Sequence, residues 1–224
     1  MDKVILEAKN ISKSFSNGEK KLNVLKNLSL LINQGDIIII MGESGSGKST
    51  ALNILGTLDK PDDGFLEIDS QQIINFDDNE ISKIRNEKIG FVFQSSYLLP
   101  EFTALENVLM PAWIRKKNNF EQRAINIFEY LGIADKMNYF PNQLSGGEKA
   151  RIAFIRATIN NPKILFADEP TGNLDRNNAK RLLKFLKKFN QDFNQTIVLT
   201  THSTEVSKFG HKIFMLDNGV LNKK

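Results

Sequence analysis

Ile37-Ile38-Ile39-Ile40 runs through Met41 straight into Gly42-Glu43-Ser44-Gly45-Ser46-Gly47-Lys48-Ser49-Thr50, and this stretch decides the fold. The isoleucines form an apolar run of strand length, the pattern of a strand buried on both faces. Gly42 to Ser49 fits the phosphate loop G-x-x-x-x-G-K-[ST], whose glycines let successive backbone N–H groups face phosphate oxygens without side-chain obstruction. A helix is predicted over Lys48–Leu58, and its N-terminus adds favourable potential for an anion. Strand, loop and helix thus come in the order such a site needs. On this reading Gly42, Glu43, Ser44, Gly45, Ser46, Gly47 and Thr50 surround the phosphates. Lys48 reaches the β- and γ-phosphates, and the Ser49 hydroxyl ligates Mg²⁺.

Working outward, Val4–Leu31 reads as β-structure, with turns at Asn17-Gly18 and Gln34-Gly35 and a half-buried alternation at Asn27, Leu28, Ser29 and Leu30. Helical periods dominate residues from about 77 to 160. There Thr103 and Glu106 form a capping box that opens one helix, and Gly132 closes the next, whose apolar positions include Ile125, Phe128 and Leu131. After Pro162 the α/β order returns: strand Ile164–Ala167, helix Arg176–Phe189, strand Thr196–Thr200 and a last strand near Ile213–Leu216 turned by Asn218-Gly219. The expectation is a single α/β domain over 1–224, a phosphate-loop NTPase core with a parallel sheet. Residues 1–76 supply an antiparallel β subdomain and the loop, about 77–160 an inserted, mainly helical subdomain, and 161–224 the rest of the core.

The second candidate cluster is Ile164-Leu165-Phe166-Ala167-Asp168-Glu169, an apolar strand that delivers two carboxylates to the carboxyl edge of the sheet, beside the phosphate loop. Asp168 is the expected Mg²⁺ holder. Glu169, one residue further on and not needed for the metal, can orient or deprotonate the attacking water.

Composition narrows the classes. Hydrophobic residues at 41% and charged residues at 25% are those of a globular chain with a packed core. No apolar run approaches the roughly 18 residues that cross a bilayer. The opening Met1-Asp2-Lys3-Val4 lacks the pattern of a secretion signal, and zero cysteines rule out a disulfide framework. The net charge of +4 raises nucleic acid as a partner. Yet the densest lysines, Lys180–Lys188, share a helix whose other face carries Leu182, Phe185, Leu186 and Phe189 at i, i+3, i+4 and i+7, so a helix docked on a sheet is the better reading. No nucleic-acid partner is expected.

Leu144-Ser145-Gly146-Gly147-Glu148, lying shortly before the Asp-Glu strand, singles out one family among phosphate-loop proteins: the chain resembles the ATP-binding cassette (ABC) ATPases. Ser145, Gly146 and Gly147 would present a hydroxyl and backbone N–H groups at a helix start, a second anion site. The resemblance implies that this site serves a nucleotide held by a partner subunit, hence an ATP-dependent homodimer with ATP and Mg²⁺ as ligands. It also implies roles for Phe15 as the aromatic stacking on adenine, where the family more often has Tyr, and for Gln94 as the residue sensing Mg²⁺ and the γ-phosphate. Asn173-Leu174-Asp175 resembles the loop crossing the dimer interface, and His202 the histidine contacting the γ-phosphate. Ala150, where Gln is common, and Ser203, where Asp is frequent, depart from the pattern. With Lys48 and Asp168 120 positions apart (168 minus 48) and one cassette, the coiled-coil repair proteins and two-cassette translation factors of the family are poorer matches.

Within the family, Leu98-Leu99-Pro100-Glu101-Phe102-Thr103-Ala104-Leu105-Glu106-Asn107-Val108 is similar to the lipoprotein-release branch, with the macrolide-export and cell-division branches sharing much of the wording. The surface around Leu98, Leu99 and Phe102 is expected to dock a helix of an integral membrane permease, placing the chain peripherally on the cytoplasmic face of the inner membrane.

Overall fold

Five residues with no polar side chain, Ile37–Met41, form strand β3, which is buried along its whole length. The strand is shown by a computed structural model that describes residues 3–17, 20–116 and 119–224. The expected turn at Gly18 and the opening Met1-Asp2 lie outside the described residues.

Two long strands, β1 (Val4–Asn17) and β2 (Lys20–Asn33), precede β3 and pair antiparallel. β4 (Asp63–Ile68) and β5 (Gln71–Gln72) extend that sheet in the order β2-β1-β4-β5. The second sheet has the order β10-β9-β3-β8-β7-β6, built from β6 (Ile89–Val92), β7 (Ile164–Asp168), β8 (Thr196–Thr201), β9 (Lys212–Asp217) and β10 (Val220–Lys223). Its pairings are parallel from β9 through β6, and only the β9–β10 hairpin is antiparallel. Asn218 and Gly219 turn that hairpin with φ of 48° and 82°, the left-handed pair expected of Asn-Gly.

Both faces of this sheet are covered, which is why its strands are apolar without alternation. Ile38, Ile40, Phe166 and Val198 face the first sheet and α1 (Lys48–Leu55). Ile39, Leu165, Ala167, Ile197 and Leu199 face a layer containing α3 (Ala104–Ile114), α4 (Glu121–Tyr130), α5 (Gly146–Thr158) and α6 (Arg176–Phe193). The apolar stripe of α6 lands there, with Leu182, Leu186 and Phe189 buried and Phe185 partly so. The capping box at Thr103 opens α3, and Gly132 follows α4 with φ 64°.

Several elements differ from the sequence reading, the strands β7 and β8 each by one residue at the end. α1 stops at Leu55 rather than Leu58, because Gly56 leaves the helical region (φ −89°, ψ 8°) and Thr57 turns left-handed with φ 59°. α6 runs on to Phe193, where Asn194 at φ 51° ends it. Inside the range read as mainly helical, β6 follows directly on α2 (Asp78–Lys88) and forms the edge of the parallel sheet. With no turn residue between Lys88 and Ile89 and only four residues of strand, its period carries too little signal to separate it from helix.

Candidate functional site

The parallel register sets the site. Met41 pairs with Thr201, Asp168 with Thr200 and Val92 with Ala167, so the residues just beyond β3, β6, β7 and β8 emerge along one edge. Those residues are the Gly42–Gly47 loop, Gln94, Asp168-Glu169 and His202, gathered from far-apart parts of the chain by strand pairing alone.

Gly47 is the N-cap of α1 in a left-handed conformation, φ 98°, and offers no side-chain cap. The first turn of α1 also carries no acidic residue. Its N–H groups and dipole are therefore left for an external anion. A Cβ on Gly42 would lie 2.5 Å from both the Leu216 carbonyl and Ser46 Oγ, so the loop closes too tightly for any side chain. Ser46 Oγ is itself buried without a hydrogen-bond partner. An orphaned hydroxyl and a run of uncapped N–H groups at a helix start fit a phosphate chain.

Lys48 is 6% exposed, and its Nζ donates to the carbonyls of Gly42 at 3.0 Å and Glu43 at 2.7 Å. The ammonium is also 3.6 Å from Glu169 Oε1. The other oxygen of Glu169 meets His202 Nδ1 at 3.0 Å, and the His202 ring is largely exposed. Glu169 thus links the loop lysine to the histidine beyond β8. Its backbone is left-handed, φ 42°, a conformation of the kind stored at functional sites. A cleft of about 240 Å³ beside this pair is lined by Glu169, Thr171, Arg176 and His202, among others.

Asp168 closes β7, and its Oδ1 accepts from the Thr200 hydroxyl at 2.5 Å. Ser49 is exposed one residue into α1. One carboxylate plus hydroxyls is an oxygen set that suits magnesium, which keeps waters and substrate phosphate oxygens for its other positions. Gln94 is tied to the loop after β7: its Nε2 donates to Asn173 Oδ1 at 3.3 Å, and Asn173 Nδ2 returns a bond to the Gln94 carbonyl at 3.2 Å. Gly172 makes room for that contact, since a Cβ there would lie 2.9 Å from Gln94 Nε2.

Phe15 lies in the other sheet, on β1. The residue is 45% exposed, and Lys13 Nζ stands 5.4 Å from its ring centroid. Lys13 is in turn held by Asp59 at 2.9 Å and the Lys60 carbonyl at 2.6 Å.

Ser145, Gly146 and Gly147 form the start of α5, and their neighbours are residues at the start of α6 rather than the phosphate loop. Ser145 caps α5 in a reciprocal box with Glu148, whose carboxyl accepts from the Ser145 hydroxyl at 2.7 Å and amide at 2.8 Å. Those two bonds hold the Glu148 carboxyl below its ordinary range, the hydroxyl contributing most. The two glycines differ. A Cβ on Gly147 would meet Asn178 Oδ1 at 2.4 Å, whereas on Gly146 the nearest atom would be Leu174 Cδ2 at 3.9 Å. Asp175 caps α6 by accepting from the amides of Asn178 at 3.1 Å and Asn177 at 2.9 Å, and its carboxyl is depressed by the Asn178 amide, then the Asn178 side chain, then the Asn177 amide. Of the departures, Ser203 is the N-cap of α7 (Thr204–Ser207), a position Ser and Asp fill equally well, and Ala150 packs against the core.

The loop after Gln94 divides. Tyr97 and Leu99 are exposed, while Leu98 packs partly on the core and Phe102 is half-buried. Two residues not singled out from sequence shape it. Buried Asn107 donates to the carbonyls of Leu99, Phe102 and Thr103 and accepts from the Leu99 amide. Arg156 donates to the carbonyls of Ser96 and Tyr97, both at 2.7 Å, and burial pulls its guanidinium below the ordinary arginine value. Thr200 and Asn178 were likewise missed. A polar residue inside an apolar strand pattern is the trace that Thr200 leaves in sequence, and Asn178 leaves none.

A phosphate-loop nucleotide-binding core is what this fold and edge define. Comparison narrows the class: a family model described as ABC transporter matches residues 25–172. The chain belongs to the ABC transporter family. It is 43% identical over 219 residues to the lipoprotein-releasing system ATP-binding protein LolD of Cytophaga hutchinsonii, covering 97% of this chain and 98% of that one. It is also 43% identical over 226 residues to the uncharacterized ABC transporter ATP-binding protein MJ0796 of Methanocaldococcus jannaschii, covering 98% and 96%. The dimeric structure of MJ0796, described as a bacterial ABC transporter cassette, superposes with a TM-score of 0.90 at 42% identity over 97% of this chain and 96% of that one. A second MJ0796 dimer, in a post-hydrolysis state bound to ADP and Pi, gives 0.88 at 40% identity over 98% of each chain.

Proposed function

We propose that this chain is the ATP-hydrolysing subunit of a transport system, working as a homodimer on a membrane-embedded partner that releases lipoproteins from the membrane. The observation that carries the ATPase reading is the linked set Lys48, Glu169 and His202 at the mouth of an uncapped, glycine-lined helix start. Lys48 and the first-turn N–H groups of α1 hold the β- and γ-phosphates. Glu169 accepts the proton of the attacking water, and His202 holds the carboxylate in place and contacts the γ-phosphate. Ser49 and Asp168, with Gln94 nearby, would hold Mg²⁺, which when bound would neutralise developing phosphate charge.

The dimer reading takes the start of α5 as a second site that faces a nucleotide, as the family resemblance implies. The start of α5 packs beside α6 rather than the phosphate loop, so one nucleotide within one chain does not bridge them. Gly146 opens away from the chain, where a partner's nucleotide can reach it. The MJ0796 dimers support a homodimer, and the name of the LolD relative supports the lipoprotein role. Among the described residues no helix is long and apolar enough to cross a membrane. On this reading the membrane step belongs to a separate subunit. Its cytoplasmic helix docks at the exposed part of the 97–102 loop. Arg156, which holds that loop, also lines a groove of about 740 Å³ with Phe91, Phe93 and Ile114, continuing the surface. The chain then sits on the cytoplasmic face of the inner membrane.

Replacing Glu169 with Gln tests the catalytic reading. ATP binding should persist while turnover falls at least about a hundredfold, the usual contribution of a general base. Hydrolysis at the unmodified rate would sink the assignment. Depletion of the protein in its host should leave lipoproteins in the inner membrane, and normal sorting would refute that cargo.

A further inference from the structure

We infer that Thr200 is a positioning residue that sets both carboxylates of the site, an inference that rests on the ATPase reading above. Thr200 is fully buried in β8, directly opposite Asp168 in the β7–β8 register. A hydroxyl in this position, among Ile197, Val198 and Leu199, must find partners, because burying it unpaired is unfavourable. It finds two of different kind. It donates to Asp168 Oδ1 at 2.5 Å and accepts the Glu169 amide at 3.1 Å. The Thr200 carbonyl accepts the same amide at 3.2 Å.

The two bonds act on different groups. A hydroxyl donating to a carboxylate makes a short, charge-assisted bond, which fixes the rotation of Asp168 and occupies one oxygen. The other oxygen is left for the metal. The bond to the Glu169 amide steadies the backbone at the residue held at φ 42°, from which the Glu169 side chain projects between Lys48 and His202. One proton donor and one lone pair on a single side chain thus orient the metal carboxylate and anchor the residue bearing the base. Because the Thr200 carbonyl also accepts the Glu169 amide, removing the hydroxyl orphans no buried N–H group, and the fold tolerates the change.

The test compares Thr200→Val, which keeps the shape and removes the hydroxyl, with Thr200→Ser, which keeps the hydroxyl and removes a methyl. ATPase rates of the purified protein are measured against Mg²⁺ and against ATP, beside Glu169→Gln, and Mn²⁺ binding to the protein with a non-hydrolysable ATP analogue is measured directly and should weaken several-fold in Thr200→Val but not in Thr200→Ser. Thr200→Val should raise the Mg²⁺ concentration for half-maximal rate several-fold and lower kcat about tenfold, the share of one hydrogen bond to a charged group, with KM for ATP nearly unchanged. Thr200→Ser should restore both. Equal losses in the Val and Ser variants, or a Val variant with unaltered Mg²⁺ dependence and kcat, overturn the proposal. If Glu169→Gln also hydrolyses normally, it is the ATPase reading that fails. Should Thr200→Val not fold, Thr200→Ala against Thr200→Ser makes the same comparison.

Discussion

Gly146 and Gly147 stand side by side at the start of α5, yet replacing each with Ala should have opposite consequences. Alanine is a better helix former than glycine by up to about 1 kcal/mol, less at a helix end. At Gly146 nothing opposes that gain, since the new Cβ would have no neighbour closer than 3.9 Å. At Gly147 the Cβ would lie 2.4 Å from Asn178 Oδ1 and 2.6 Å from its Cγ, so the Asn178 side chain must swing away. Its amide now donates to Asp175, the cap of α6. Forcing a packed side chain aside costs about 1–3 kcal/mol, and subtracting the helix gain leaves a net loss of roughly 1–2 kcal/mol. In a chain of this size each kcal/mol moves Tm by about 2–4 °C. Thermal unfolding should therefore show Gly146→Ala unchanged or slightly higher and Gly147→Ala lower by several degrees. ATPase activity supplies a second, independent axis. On the shared-site reading Gly146→Ala, although well folded, places a methyl where the partner's nucleotide approaches, so its hydrolysis and its ATP-dependent dimerisation should both fall. A Gly147→Ala protein as stable as the parent would refute the packing argument, and a fully active Gly146→Ala protein would refute the role of that face.

Mixing Lys48→Ala with Ser145→Arg subunits should restore roughly one intact composite site per heterodimer, and activity no higher than either variant alone would count against sharing. Because strict coupling between sites could hide the rescue, ATP-dependent dimerisation by light scattering is to be followed alongside. Asn107→Ala removes one side chain that serves four backbone groups of the 99–103 segment, so denaturant unfolding should register a loss of about 2–4 kcal/mol; a loss under about 0.5 kcal/mol would mean that water replaces it. Tyr97→Ser with Leu99→Ser, chosen because both side chains are exposed, should leave folding and basal ATPase intact and abolish copurification with membrane proteins; full retention of the partner would place docking elsewhere. The Glu106 carboxyl is lowered by bonds from the Thr103 hydroxyl and then its amide. A carboxyl depressed on folding stabilises above its unfolded pKa, and the contribution disappears as pH falls through the lower folded value. Stability measured from pH 5 downward should therefore decline more steeply in the parent than in Thr103→Ala, and parallel curves would rule out this contribution.

Local chemistry made the phosphate loop legible: its glycines answer to backbone geometry within eight residues, and the isoleucine run before it reports burial on two faces whatever surrounds it. Thr103 was readable for the same reason, since a capping box is complete within four residues, whereas the box that ties Ser145 to Glu148 emerged only in the structure. The family resemblance assigned Gln94 and His202 their parts, but neither residue type nor spacing shows what they touch. Contacts between Lys48 and Glu169, or between Thr200 and Asp168, join residues more than 30 positions apart, and only the parallel register of β3, β7 and β8 brings them to one edge. The same holds for Gly146 and Gly147, identical in sequence, whose difference lies wholly in Asn178 and the path of α6. β6 was invisible because four residues without a flanking turn have no period to read, and it becomes a strand only because β7 offers an unpaired edge. Short-range geometry is written in the chain itself, whereas the reach of one side chain to another depends on packing that no local pattern records.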